Sequence, residues 1–173
     1  TLETLLTKIK GTYKMKKLNL NLAGIFFALI LFAASFTQSN QLFAQDNSVV
    51  TVQSKKSFDE SVDQLRQLVA KNGMMVLSEI NHGKILSMTG LEVKGIALFV
   101  GNPQIGKQLF TANRGAGLAV PIRVNIYEDT DGKTYVNYIK PTHQLSSFNN
   151  DEIDKIAGKL DEKLGMLTEM ISK

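Results

Sequence analysis

The sequence predicts an α+β fold, an antiparallel β-sheet with two long helices on one face, in the order strand, helix, four strands, helix. Three observations carry that expectation. Stretches 58–71 and 153–171 repeat apolar residues at helical spacing. Stretch 118–127 alternates apolar and other residues as a half-buried strand does, and with Asp131-Gly132 and the β-rich run after it makes a hairpin. Residues 96–100 are apolar in both alternating sets, the mark of a strand inside a sheet rather than at its edge.

Not all 173 residues count towards that domain. Met15 opens a secretory signal: Lys16 and Lys17 supply positive charge, 22–34 is an apolar run of signal-peptide length, and Ala44 offers a cleavage site. Residues 15–44 are therefore expected to be a signal peptide, 1–14 an over-extended start, and 45–173 a single exported domain, periplasmic or secreted, with no membrane attachment after signal removal. From residue 45 onward 15 Lys and Arg face 15 Asp and Glu, so the whole-chain excess of +4 arises upstream. The usual inference from a basic protein to nucleic acid fails. With no cysteine anywhere, disulfides, thiol catalysis and thiolate metal sites are excluded, and packing has to carry stability.

In chain order, 49–53 is β-rich and Ser57 and Glu60 have capping-box spacing. The helix behind them places Phe58, Val62, Leu65 and Val69 on one stripe, and Asn72-Gly73 stops it. Residues 74–80 read as a strand, 84–88 as one or two helical turns, 91–94 as a connector and 96–100 as the interior strand. Asn102 is an N-cap with Pro103 at the first helical position, so 105–111 is a helical return. Gly115 and Gly117 loosen the chain before the strand 118–127, in which Pro121, lacking an N–H, marks an edge or a bulge. A two- or four-residue turn at Asp131-Gly132 sets Thr134, Val136 and Tyr138 on the face of Arg123, Asn125 and Tyr127; a three-residue loop reverses that. Asn149 or Asn150 caps the closing helix, where Gly158 and Gly165 predict close approach of another backbone.

His82-Gly83, Leu91-Glu92-Val93, Leu98-Phe99-Val100-Gly101-Asn102-Pro103 with Gly106, Ala119-Val120-Pro121, Tyr127-Glu128-Asp129 with Asp131-Gly132-Lys133, Tyr138 and Pro141 together resemble the domain of unknown function 302 family, over nearly all of 45–173. Where many members carry a cysteine before the Asn-Pro pair, this chain has Gly101, as in a Gly-Asn-Pro subgroup with an upstream histidine. A cysteine-based role is thereby excluded. The resemblance implies a TATA-binding-protein-like arrangement and makes self-association an expectation, but brings no established activity.

Candidate site residues fall in three groups. Asn102, Gly106 and Lys107 can hold a small anionic ligand at a helix N-terminus, although a strand-to-helix turn needs the same residue types. Arg123 and Tyr138 can grip a carboxylate or phosphate on the sheet face left uncovered, although cross-strand packing explains them too. His82 and His143 with Glu128 or Asp129 can form an acid–base pair or metal site, His82 being the candidate catalytic residue; the spacing matches no metal pattern. No cofactor is implied, and no phosphate-loop, dinucleotide or nucleophile motif occurs. The leading expectation is a non-catalytic module binding a small ligand or a protein partner, as a homodimer. Its alternatives are a hydrolase-like or metal-dependent enzyme using His82 with a carboxylate, and an envelope protein that self-assembles through the glycine face of its last helix.

Overall fold

In a computed structural model, residues 47–173 are described; the segments read as over-extended start and signal peptide lie outside them. Strand β1 (Val49–Gln53) leads to helix α1 (Phe58–Lys71), strand β2 (Met75–Asn81) and the short helix α2 (His82–Leu86). Strand β3 (Gly95–Gly101) is followed by helix α3 (Pro103–Ala112), a 3-10 turn (Arg114–Leu118), and the hairpin of β4 (Ile122–Glu128) and β5 (Thr134–Ile139). Short α4 (Pro141–Leu145) precedes the closing helix α5 (Asp151–Ser172). The strands form one sheet in the order β1-β5-β4-β3-β2, every pairing antiparallel. The α+β expectation is met.

Each long helix starts where its capping residues stand. The Glu60 carboxylate accepts from the Ser57 N–H at 3.1 Å and from the Ser57 hydroxyl at 2.7 Å. Asn150 Oδ1 takes the N–H groups of Glu152 and Ile153 at the head of α5. The apolar stripes of both helices then cover one face of the sheet, where Leu65, Val69, Leu164 and Leu167 meet Leu98, Val124, Ile126 and Val136 in the main core. A second core joins α3, the 3-10 turn and α4 to the first half of α5 through Leu109, Ala116, Leu145 and Ile153.

One ion pair ties α1 to the edge strand: Arg66 grips both Glu79 oxygens at 2.9 and 2.8 Å. Hydrogen bonding from Arg66 holds the Glu79 carboxyl below the usual glutamate range. Because the folded-state value is depressed, the stabilisation is present above the ordinary value near pH 4.3 and is lost as pH falls through the lower, folded one. Both side chains are more than a third exposed, 40% and 36%, so the contribution is under about 1 kcal/mol. The stability difference between the native chain and Glu79→Gln, followed by urea unfolding, is expected to shrink to zero on acidification through that window.

Three expectations are corrected. The strand predicted over 118–127 starts only at Ile122, because residues 114–118 close a 3-10 turn and Pro121, after a cis peptide bond, has no N–H for the ladder. The hairpin register is the opposite of the even-turn reading. Asp129 N–H bonds Lys133 O at 2.8 Å, leaving Thr130-Asp131-Gly132 as a three-residue loop, and Tyr138 pairs with Val124 on the core face. Gly158 and Gly165 make no close backbone approach: a Cβ at either meets nothing within 4 Å. Gly158→Ala is accordingly expected to raise stability by about 0.5–1 kcal/mol, from helix propensity alone, in denaturant unfolding.

Candidate functional site

The sheet face turned away from α1 and α5 carries the second alternating set of side chains. Across it Asn137 pairs with Asn125 and Asn125 with Ala97, while Arg123 pairs with Phe99. Tyr127 and Tyr135, also a register pair, stack with centroids 5.5 Å apart. Helix α2 folds over part of this face. Gly83 allows it to do so, because a side chain there would run into the Val93 carbonyl of the connector; the His82-Gly83 pair is thus explained by packing at its second residue. His82, at the start of α2, lies beside Gly95, which has only a 3.6 Å gap to the His82 Cβ if given one of its own.

Between α2 and the β4–β5 ladder is a depression of about 440 Å³, bordered by His82, Arg123, Asn125, Asn137, Val49 and Ile139, with Tyr138 below. Its polar groups are mainly donors. Asn125 Nδ2 donates to Asn137 Oδ1 at 3.1 Å, which leaves the Asn137 amide N–H pair and one acceptor, the Asn125 carbonyl oxygen, unused among the described residues. Neither the Arg123 guanidinium nor the His82 imidazole makes a hydrogen bond or ion pair with any described residue. Among the described residues no Asp or Glu borders the depression. A guanidinium thus stands beside an imidazole and a free amide with no carboxylate among the described residues at the hollow, an arrangement suited to an oxyanion, which an arginine fork grips through two parallel hydrogen bonds.

Of the residues singled out from sequence, Arg123 and His82 are brought together. Tyr138 is not part of their polar surface. Its side chain is 5% exposed, packed in the main core, and burial pushes its phenol above the ordinary range, with a Thr168 hydrogen bond acting in the other direction. Asn102 has spent its amide. Oδ1 accepts from Gln104 and Ile105 at 2.8 and 3.1 Å, and Nδ2 donates to Gly73 O at 2.6 Å. The helix amides expected to meet an anion are therefore capped from within. Gly106 borders a separate, apolar cavity, and Lys107 is exposed beyond it.

The pairing of His82 with a hairpin carboxylate is not made. Glu128 bonds Lys94 at 2.9 Å, and Asp129 accepts from Thr130 N–H at 2.7 Å. Among the described residues no group of three His, Asp or Glu side chains could hold a metal ion. The sequence placed Asn125 beside Arg123 on the uncovered face without making it a site residue, and Asn137 was passed over, although its alternation with Tyr135 was the available signal.

The fold and this hollow define a small α+β domain with a donor-lined open sheet face. Residues 50–171 match the family described as "Domain of unknown function DUF302", and the chain belongs to that family. A solved relative, described as an uncharacterized conserved protein DUF302 from Bacillus stearothermophilus, superposes with a TM-score of 0.68 at 22% identity, covering 72% of this chain and 98% of that one. At that identity the likeness is one of fold. Among curated proteins the chain is similar to the Fluoride-specific ion channel FluC 1 of Brucella suis biovar 1 (strain 1330), 33% identical over 97 residues, 56% of this chain and 38% of that one. The FluC 1 protein of Brucella abortus biovar 1 (strain 9-941) is likewise 33% identical over 97 residues, covering 56% and 36%. The chain thus spans under two-fifths of the length of these relatives, and no helix among the described residues is long and apolar enough to cross a membrane.

Proposed function

We propose that this domain is a non-catalytic module that binds a small oxyanion, a carboxylate or phosphate on a compact organic body, on the open face of its sheet. One observation carries the reading: the Arg123 guanidinium stands unpaired in a hollow that has donors on several sides and no carboxylate. Arg123 supplies the charge and the fork, the Asn137 amide a third donor, and the His82 imidazole N–H a further one. Val49 and Ile139 give the ligand body an apolar margin. The curated relatives are named for an anion, fluoride. A bare halide is a poor match for a hollow of about 440 Å³, whereas an oxyanion can span several donors at once.

Export to the periplasm and membership of the Gly-Asn-Pro subgroup belong to the same proposal, on the residues 15–44 and 101–103 that suggested them. So does self-association, supported by the half-exposed apolar side chains Val49, Ile80 and Ile85. Isothermal titration with benzoate, inorganic phosphate and sodium fluoride tests the ligand class. Saturable binding of benzoate or phosphate, with a dissociation constant on the order of 1 mM, and no response to fluoride are expected. A fluoride response alone, or none to either oxyanion, overturns the reading.

A further inference from the structure

The anion reading leaves unused a second cavity, of about 220 Å³, at the end of the sheet beside the Gly101-Asn102-Pro103 turn. It lies on the seam between the two cores. Val100, Ile122 and Leu164 of the main core and Leu109 and Leu160 of the second border it, and Val120 packs against both. Among the described residues no charged side chain lines it, and the one polar side chain that does, Asn102, has both amide atoms already bonded.

Its mouth is built by a bulge and by a large side chain lying over a glycine. The register of β2 slips between Val76 and Ser78, and that bulge re-aims Leu77 over Gly101, where an added Cβ would lie 2.9 Å from the Leu77 Cδ1. On the other side Phe110 of α3 lies over Gly117, where an added Cβ would lie 2.9 Å from the ring. Leu77 and Phe110 are each about half exposed, 52% and 46%. Two large apolar side chains thus lie at a water-facing rim, each packed over a glycine.

We infer that this cavity binds the hydrocarbon end of a small amphiphile, whose polar end stays in water beyond Leu77 and Phe110. An apolar cavity of about 150 Å³ takes benzene, so the volume here has room for roughly eight carbons. The lining offers nothing to hold a polar group, and the open mouth requires that the ligand end in one.

A series of uncharged alcohols, butanol, hexanol and octanol, tests this without touching the anion site. Methyl resonances of Leu77, Ile105 and Leu109 are expected to shift saturably, with affinity rising about fourfold per added methylene. Gly106 borders the cavity, has no positive φ, and an added Cβ there meets nothing within 4 Å. Gly106→Leu is therefore expected to fill the space, abolish octanol binding and raise the melting temperature. The proposal is overturned if the native chain shows no saturable shift, if affinity is flat with chain length, or if a folded Gly106→Leu binds octanol unchanged. The native series decides the matter even where that variant does not fold.

Discussion

Tyr138→Ala is expected to lower the unfolding free energy by about 3–5 kcal/mol, the range for a large buried aromatic. The side chain is 5% exposed and lies in the main core against α5. Its truncation leaves a cavity under the closing helix. Tyr135, one register place from the core face and stacked on Tyr127 in the half-exposed layer, is the control: Tyr135→Ala is expected to cost about 1 kcal/mol, the scale of one aromatic cross-strand pair. Urea unfolding of the two variants reads the hairpin register directly. Equal losses, or a larger one at Tyr135, would place the wrong tyrosine in the core.

Arg123→Leu is expected to do the reverse, leaving stability almost untouched while removing ligand binding. Arg123 is exposed and bonded to no described residue, so its loss should change stability by about 0.5 kcal/mol or less. Hydrogen bonds to a charged group contribute about 1.5–3 kcal/mol, and benzoate or phosphate affinity should fall by roughly tenfold to a hundredfold. Arg123→Lys keeps the charge but not the fork, and should fall between the two. Unchanged titration curves for Arg123→Leu would remove Arg123 from the site.

Local chemistry was readable where one residue type has one physical solution. Asn102-Pro103 opens α3, Ser57 with Glu60 opens α1, and the alternation of Ile122, Val124 and Ile126 gives a core-facing strand. The register of β5 was not readable. Both of its alternating sets contain apolar residues, Val136 and Tyr138 in one and Tyr135 and Ile139 in the other, so only the parity of the loop decides, and that parity is set by the Asp129–Lys133 bond. Helix α4 was overlooked although Pro141, a favoured first helical residue, announced it.

The place of the site was legible in part: the sequence pointed to where the Gly101-Asn102-Pro103 turn, His82 and the Arg123 to Tyr138 face come closest together, and the hollow joins His82 to that face but leaves the turn out. Arg123 and His82 were each visible, but 40 residues of intervening chain and the return of α2 over the sheet bring them to one hollow. The anion expected at the Gly-Asn-Pro turn has no free amide to meet there, since capping uses the Asn102 side chain and the N–H groups of Gln104 and Ile105. The apolar cavity beside that turn depends on a bulge at Leu77, and a strand of seven residues shows no trace of a bulge in its pattern.

The account turns on Arg123 as the charge that holds an oxyanion. Side-chain nitrogen NMR of the Arg123 Nε–H and the Asn137 Nδ2–H groups during a benzoate titration tests it most directly. Both signals are expected to move together along one saturable curve, with the backbone amides of Gln104 and Ile105 unmoved. Saturable shifts at those two amides with Arg123 and Asn137 still would contradict it and return the anion to the helix N-terminus.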